Sequence, residues 1–306
     1  KSHRDSWREY MTSLRDNDSR SESTNDSEVD RAAPRKPARR ILEVEISEGL
    51  GELKRPAGGI FIAGLSAGLD VGFSLFLMAV MFTLTLGQLS EPVIEILVAN
   101  TYAVGFIFVI VGRSELFTEH TTLSVLPVLN GRASVRALAR LWALIYSANL
   151  MGAAIFAALA VTIGPALGVI EPEVFGIIAH NLVDHDWNVI LVSGILAGWL
   201  MGLVSWLVAA GRDTISQIVL VWLVTAAIGF SHLHHSILGS VEVLSGVFAR
   251  QGVGFADYGH FLLWSTLGNS VGGIFFVALI KYGHVIRTNR NAEDVELEDP
   301  PQQKAP

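Results

Sequence analysis

The chain has 306 residues, of which 51% are hydrophobic and only 17% are charged. Together with a mean hydropathy of +0.45, this is the profile of a polytopic membrane protein. The absence of cysteine excludes a disulfide framework and a thiolate metal site. The acidic residues behind the formal net charge of −7 concentrate in the soluble ends, and we expect no nucleic-acid partner.

Two segments precede the first apolar stretch. Residues 1–40 are rich in Ser, Arg, Asp and Asn, a composition that predicts a disordered tail. Residues 41–57 have one apolar helical face, which predicts an interfacial amphipathic helix that leads into the membrane. This face consists of Leu42, Ile46, Leu50 and Leu53.

Six apolar segments follow, and each exceeds the roughly 20 residues needed to cross a bilayer. We expect spans at about residues 58–86, 92–130, 135–165, 187–210, 214–249 and 259–282. Polar residues interrupt the second and the fifth. The predicted organisation is three transmembrane helices in 58–166, an outer loop in 167–186, three further helices in 187–283 and a tail in 284–306.

The basic residues predict which side of the membrane holds the termini. An even number of spans places both termini on one side, and Lys and Arg are enriched in cytoplasmic loops. They cluster before the first span, between the second and third spans and after the sixth, whereas the opposite loops contain only Arg250. We therefore expect both termini to be cytoplasmic.

The membrane region contains two related halves. Segments 115–118 and 148–152 each have a counterpart about 120 residues later, at 235–238 and 268–272, which pairs Glu115 with His235. Three spans per half is an odd number, so the second half must be inverted relative to the first. Paired polar breaks in two inverted halves indicate a channel or transporter. The alternative is chance similarity between apolar helices rich in small residues.

The first polar break runs from Gly112 to His120 and also holds Arg113, Glu115 and Glu119. A charge that faces lipid costs about 2.5–3.5 kcal/mol, so these groups must face protein or water, and some must pair. A helix at membrane depth can be interrupted only where the freed backbone lines a cavity or is buried in protein.

The second break, residues 229–240, carries His232, His234 and His235. A broken helix exposes an N-terminus whose N–H groups and dipole attract a small anion. A histidine can hold or release a proton near pH 6.5, so a weak-acid anion could take up a proton there and leave as the neutral acid. The alternative for each histidine is a structural hydrogen bond to the freed backbone.

These segments resemble the formate/nitrite transporter family over roughly residues 55–285. The stretch Glu115-Leu116-Phe117-Thr118 is similar to the family's acidic-Leu-Phe-Thr signature in its broken second helix. The stretch His235-Ser236-Ile237 is similar to the His-Ser-Ile of its broken fifth helix. Their order and spacing are more specific than any single piece.

The resemblance implies an all-α membrane protein with an aquaporin-like bundle of six transmembrane helices. It also implies an inverted 3+3 repeat, broken helices 2 and 5, and a homopentamer in a bacterial inner membrane. Each protomer would pass small monovalent anions or their weak acids, such as formate, nitrite or hydrosulfide, with protons involved. Leu116, Phe117 and Thr118 would form a cytoplasmic constriction, and His235 would be the central pore histidine. The pore and substrate residues expected are His235, Thr118, Leu116, Phe117, Glu115, Ser236 and Gly239.

Several residues depart from the family pattern. The family has an Asn where this chain has Gly239, and the chain adds carboxylates that make a pore less favourable to anions. We expect Arg113 to pair with Glu115, Glu119 or Glu242, because an isolated guanidinium is costly in a membrane, and such a pair could plug the pore. The candidate gating and ion-pair residues are Arg113, Glu119, His120, His234, Glu242 and Asp70.

Two other functions compete with transport. The pore could be sealed by the added charges and retained as a membrane scaffold or sensor. Alternatively, the chain could be an intramembrane metalloenzyme, with ligands drawn from His120, His232, His234 and His235 and from Glu115 or Glu119. The His-x-His-His order is not the His-Glu-x-x-His zinc motif, so we expect no metal, no cofactor and no enzymatic activity.

Overall fold

The computed structural model describes residues 36–288, apart from the side chain of Phe276. The chain divides into two units, residues 1–40 and 41–306. Most of the tail predicted in 1–40, and the end of the tail predicted in 284–306, lie outside the described residues. The helices are α1 Ala38–Lys54, α2 Ala57–Asp70, α3 Gly72–Thr85, α4 Glu91–Val111, α5 Phe117–Leu123, α6 Leu126–Leu129, α7 Val135–Ala166, α8 Pro172–Val183, α9 Trp187–Ala210, α10 Thr214–Phe230, α11 Ser236–Phe248, α12 Phe255–Val271, a π-helix Gly272–Leu279 and α13 Ile280–Thr288.

The described residues are helical without any strand, as the apolar segments predict. Within residues 36–288, five continuous stretches are long and apolar enough to cross a membrane: Ala57–Thr85, Glu91–Val111, Val135–Ala166, Trp187–Ala210 and Phe255–Arg287. The predicted fifth span consists of two shorter apolar helices, α10 and α11. The all-α bundle with interrupted second and fifth spans is therefore confirmed.

Close helix pairs occur at equivalent places in the two halves. Helix α2 packs along α7, and α9 packs along α12. A Cβ atom on Gly68 would overlap the backbone of Asn149, and one on Gly198 would overlap the backbone of Asn269. Only glycine permits this approach of two membrane helices, so the small residues of the repeat determine how its helices pair.

The two breaks have the same backbone shape. Arg113 and His232 both adopt left-handed conformations, with φ of +59° and +48°, which side chains other than glycine rarely take. Ser114 N–H donates to the Val109 carbonyl in the first break, and the Leu233 N–H makes the corresponding bond in the second. Each break therefore reverses the chain sharply before a second, shorter helix begins.

The repeat register differs by one residue from the register predicted from the sequence. The residues that cap the second helix of each break are Leu116 and His235, which have nearly the same φ, −100° and −101°. Glu115 consequently corresponds to His234, and the predicted pairing of Glu115 with His235 is wrong. Matching by sequence aligns the polar residues Glu115 and His235 with each other, whereas the backbone aligns Leu116 with His235.

Two segments outside the spans are also helical. Helix α1 buries Leu42, Ile46 and Leu53, and its Gly49 lies against the carbonyl of Leu123. The apolar face predicted to be interfacial is therefore covered by protein. The segment predicted as the outer loop, 167–186, contains helix α8, which packs against α11.

Candidate functional site

Asn149 of α7 holds the first break in place. Its side-chain amide donates to the carbonyls of Gly64, at 2.7 Å, and of Glu115, at 2.8 Å, and its carbonyl accepts the N–H of Phe117 at 2.8 Å. Buried backbone groups without partners are costly, and the break would otherwise leave the Glu115 carbonyl and the Phe117 N–H free. One buried side chain therefore provides hydrogen-bond partners for the backbone of the break at membrane depth.

Asn269 of α12 does the same for the second break. Its amide donates to the carbonyls of Gly194, at 2.8 Å, and of His234, at 2.9 Å, and its carbonyl accepts the N–H of Ser236 at 2.8 Å. The two asparagines thus make the same three bonds in the two halves. This correspondence supports the internal repeat independently of sequence similarity.

The buried pair His235 and Thr118 joins the two breaks. His235 Nε2 lies 2.8 Å from Thr118 Oγ1, and both residues are at most 1% exposed. His235 Nδ1 accepts the N–H of Leu238 at 3.1 Å, so the proton of a neutral ring lies on Nε2 and is donated to Thr118. The Phe106 ring meets the imidazole edge-on, with centroids 5.0 Å apart. A second proton on the ring would break the bond from Leu238.

The other residues expected at the pore are buried around this pair. Leu116 is fully buried, and the Phe117 ring packs edge-on against Trp142 and Tyr146 of α7. Ser236 Oγ is buried without a hydrogen-bond partner among the described residues. Whether these residues line a pore stays a prediction.

Gly239 is packed against Phe261 of α12. A Cβ at this position would overlap the Phe261 ring. The Asn that the related family has at this position therefore does not fit here unless the ring moves. This packing gives the departure from the family pattern a steric cause.

Glu115 belongs to a buried charge network rather than to an open pore wall. One of its oxygens lies 2.5 Å from Arg55 Nη1, and the other lies 2.5 Å from His120 Nε2. The second ring nitrogen of His120 is 2.7 Å from Ser124 Oγ, and Arg55 also pairs with Glu52 at 2.6 Å. Each charge therefore has a partner, as burial at this depth requires.

The predicted partners of Arg113 are wrong. Its ion pair is with Glu48 of α1, at 3.4 Å, and the Arg113 side chain is 71% exposed. The Glu115 oxygens are already taken by Arg55 and His120, and the left-handed turn directs Arg113 toward α1. An exposed ion pair of this kind contributes about 1 kcal/mol or less to stability. The pore plug predicted from the sequence required a buried Arg113 ion pair, which the structure does not have.

Sequence reasoning missed the contribution of α1 to the first break. Glu48 and Glu52 of α1, and Arg55 directly after it, form ion pairs, and α1 also buries Glu45, whose Oε2 has no hydrogen-bond partner among the described residues. Burial, and next the nearby Glu48 and Glu119, raise the pKa of Glu45 well above its usual value. The spacing of three and four residues between these acids was the available signal, since it places them on one helix face.

The remaining polar residues of the breaks have separate partners. Asp70 accepts hydrogen bonds from Ser66, at 3.0 Å, and Ser114, at 2.9 Å. The His234 ring lies 2.8 Å from Ser193 Oγ and 3.0 Å from the carbonyl of Leu182, so both its nitrogens are used structurally. The His234 ring therefore makes structural hydrogen bonds, but to α8 and α9 and not to the freed backbone of its own break.

The four histidines of the metalloenzyme hypothesis do not converge. His120 binds Glu115, His235 binds Thr118, and His232 pairs with Glu95 at 3.0 Å. Across residues 36–288 no group of three or more His, Cys, Asp or Glu side chains is placed to hold a metal ion. The metal ligand set proposed from the sequence is therefore not assembled in this part of the chain.

A pocket beside α8 is linked to the buried pair through the rings of Tyr102 and Phe106. Phe106 stacks on Tyr102, with centroids 5.4 Å apart, as well as meeting His235. Tyr102, Asn181, His232 and Glu242 supply the polar lining of this α8 pocket, and α3 and α10 supply apolar lining.

Comparisons with known proteins identify close likenesses over most of the chain. Residues 39–283 match the family model described as formate/nitrite transporter. The inner membrane protein YfdC of Escherichia coli is 30% identical over 252 residues, which is 81% of this chain and 79% of that protein. The nitrite transporter NirC of Salmonella typhimurium is 29% identical over 72% of this chain and 81% of that protein.

Solved structures show the same fold. A structure titled FNT family ion channel superimposes with a TM-score of 0.72 at 24% identity, covering 80% of this chain and 98% of that one. A structure titled pentameric formate channel with formate bound gives a TM-score of 0.64 at 23% identity, covering 76% of this chain and 98% of that one.

Proposed function

The chain belongs to the formate/nitrite transporter family, and we propose that it is a channel or transporter for small monovalent anions or their weak acids, of the class of formate, nitrite and hydrosulfide. The observation that carries the proposal is the buried pair of His235 and Thr118, which joins the two broken helices. The curated relatives include a nitrite transporter and a formate channel.

In the proposed mechanism the buried pair supplies hydrogen bonds and one proton. The Thr118 hydroxyl and the His235 Nε2–H can turn from each other to an arriving anion, and the positive end of α11 begins beside them. His235 takes up one proton on Nδ1, losing the bond from Leu238, and passes one proton from Nε2 to the anion. The ring is then neutral again, and the substrate leaves as the neutral acid.

We propose that the protomers form a pentamer in a bacterial inner membrane with both termini cytoplasmic. A related structure is titled as a pentameric formate channel, and a relative is named as an inner membrane protein. The spans also expose large apolar side chains, such as Leu159, Val192 and Leu223, that lipid or a neighbouring protomer would cover.

The test is uptake into proteoliposomes by the parent protein and by His235→Phe. We expect the parent to take up at least one of formate, nitrite and hydrosulfide, and the phenylalanine variant to lose more than about 90% of that flux, which is about 1.4 kcal/mol of barrier. Both proteins should elute identically in size-exclusion chromatography. Equal flux and equal pH dependence in the variant would remove His235 from the mechanism. A parent that carries none of these solutes would favour the sealed scaffold or sensor.

A further inference from the structure

The α8 pocket contains polar groups that the rest of the protein leaves unused. Glu242 is 4% exposed, and its carboxyl makes no hydrogen bond or ion pair with any residue in the described part of the chain. Among residues 36–288, the hydroxyl of the buried Tyr102 also has no hydrogen-bond partner, and Tyr102 lines the pocket together with the exposed Asn181. Polar groups at a buried site without partners indicate that the site receives a polar guest.

The size of the pocket restricts that guest. Its volume is about 30 Å³, room for about two water molecules or a solute of a few atoms. Ring contacts link the pocket to the central pair, because Tyr102 lines the pocket and stacks on Phe106, which in turn meets His235. A solute of formate or nitrite size fits this space, and its next contact inward is the Phe106 ring.

Among the described residues that line the pocket, His232 is the one basic side chain, and it already has a partner. His232 lines the pocket, but its Nε2 lies 3.0 Å from Glu95. An ionised Glu242 therefore meets an entering anion without a compensating cation. At 4 Å the repulsion would lower occupancy by more than about a hundredfold at an effective dielectric constant of 20. A bare anion is thus disfavoured, whereas a solute that shares a proton with the carboxyl is not.

We propose that Glu242 makes the α8 pocket a selectivity site that admits small weak acids together with a proton and rejects anions of strong acids. This rests on the proposed function. The protonated carboxyl donates its hydrogen to the arriving anion, the O–H bond of Glu242 breaks, and an O–H bond forms on the substrate. The neutral acid moves on past Phe106, and the carboxylate regains a proton from water. His235 then protonates only an anion that reaches the buried pair without a proton from Glu242. The Tyr102 hydroxyl and the Asn181 amide hold the substrate oxygens during the exchange.

The proton exchange is assigned to Glu242 because the other titratable groups nearby have partners or lie apart. The surrounding groups are Tyr102 and Glu95 on α4, His180 on α8 with Asp184 and His185 after it, His232 in the break and Tyr258 on α12. His180 binds Asp184 at 2.9 Å, and Tyr258 donates to Ser240 at 3.2 Å. Glu242 is the buried carboxyl that lines the pocket.

The experiment compares uptake of nitrite, formate and nitrate by the parent, Glu242→Gln and Glu242→Asp in proteoliposomes. Nitrate is a planar monovalent anion with one oxygen more than nitrite, and it does not accept a proton in water. We expect the parent to exclude nitrate, and Glu242→Gln to lower the ratio of nitrite to nitrate flux at least about tenfold. Glu242→Asp keeps the exchangeable proton and should keep most of the selectivity. Glu91→Gln, which removes an exposed carboxylate from the start of α4, is the matched control and should match the parent.

The outcomes separate this inference from the proposed function. If the parent carries nitrite or formate and Glu242→Gln keeps the parent's ratio, the selectivity site is overturned while the proposed function stands. If the parent carries none of the weak acids but carries methylammonium, the proposed function fails and the weak-acid assignment of Glu242 fails with it. If Glu91→Gln changes the ratio as much as Glu242→Gln does, the effect is one of general charge, and the assignment to Glu242 is overturned.

Discussion

At the scale of single residues, the site depends on which atom holds each proton. The Leu238 N–H fixes His235 as the tautomer that donates from Nε2, and Thr118 receives that hydrogen. Glu115 accepts from Arg55 and His120 together. A substitution that preserves shape but alters these donors and acceptors should therefore affect transport more than assembly.

Gly239→Asn restores the residue that the related family has and should nevertheless destabilise this chain. The new Cβ overlaps the Phe261 ring, and overpacking of this kind costs roughly 1–3 kcal/mol. The measurement is thermal unfolding in detergent. Adding Phe261→Ala should give a double variant less destabilised than the sum of the two single changes. Gly259→Asn is the control, because a Cβ at Gly259 meets nothing within 4 Å. Strict additivity at 239 and 261 would contradict the steric explanation.

At the scale of elements, the breaks depend on two asparagines that make equivalent bonds. This symmetry predicts that neither half of the repeat holds its break more weakly than the other. The half-helices α5 and α11 are short, so their positions depend on these bonds and on packing rather than on helix propensity.

Asn149→Ala and Asn269→Ala should destabilise the protein to a similar extent, roughly 2–4 kcal/mol each, because each change leaves two backbone groups of its break without a partner and removes a third hydrogen bond, to a helical glycine carbonyl. Thermal unfolding of the detergent-solubilised protein measures this effect. Asn100→Ala is the control, since the Asn100 amide bonds Ile96 on an exposed surface. A change at 149 or 269 no larger than at 100 would show that the breaks are held by other contacts.

The sequence predicted the elements better than their register and partners. The spans, the two breaks and the proximity of Thr118 to His235 follow from apolar length and from the motif resemblance. The partner of Arg113 does not, because it depends on a left-handed turn and on where α1 packs. The register of the repeat was missed because a buried leucine and a histidine occupy equivalent positions, and neither residue type indicates the other.

At the scale of the whole molecule, the account predicts that charge and proton cross together. The His235 ring of the buried pair has one exchangeable proton. The carboxyl of Glu242 can supply a proton before the substrate reaches the buried pair. In the first break, Arg113 pairs with Glu48 of α1, and Glu115 pairs with Arg55 and His120, so these charges have local partners. Net passage of a weak acid should consequently acidify the receiving compartment without building a membrane potential.

The most direct measurement is lumen pH and membrane potential in proteoliposomes after external formate or nitrite is added, with protein-free vesicles as the background for permeation through lipid. The account predicts rapid lumen acidification above that background with no inside-negative potential, and loss of both the excess rate and its pH dependence in His235→Phe. An inside-negative potential without acidification would mean that the bare anion crosses, and it would contradict the role given to the buried pair.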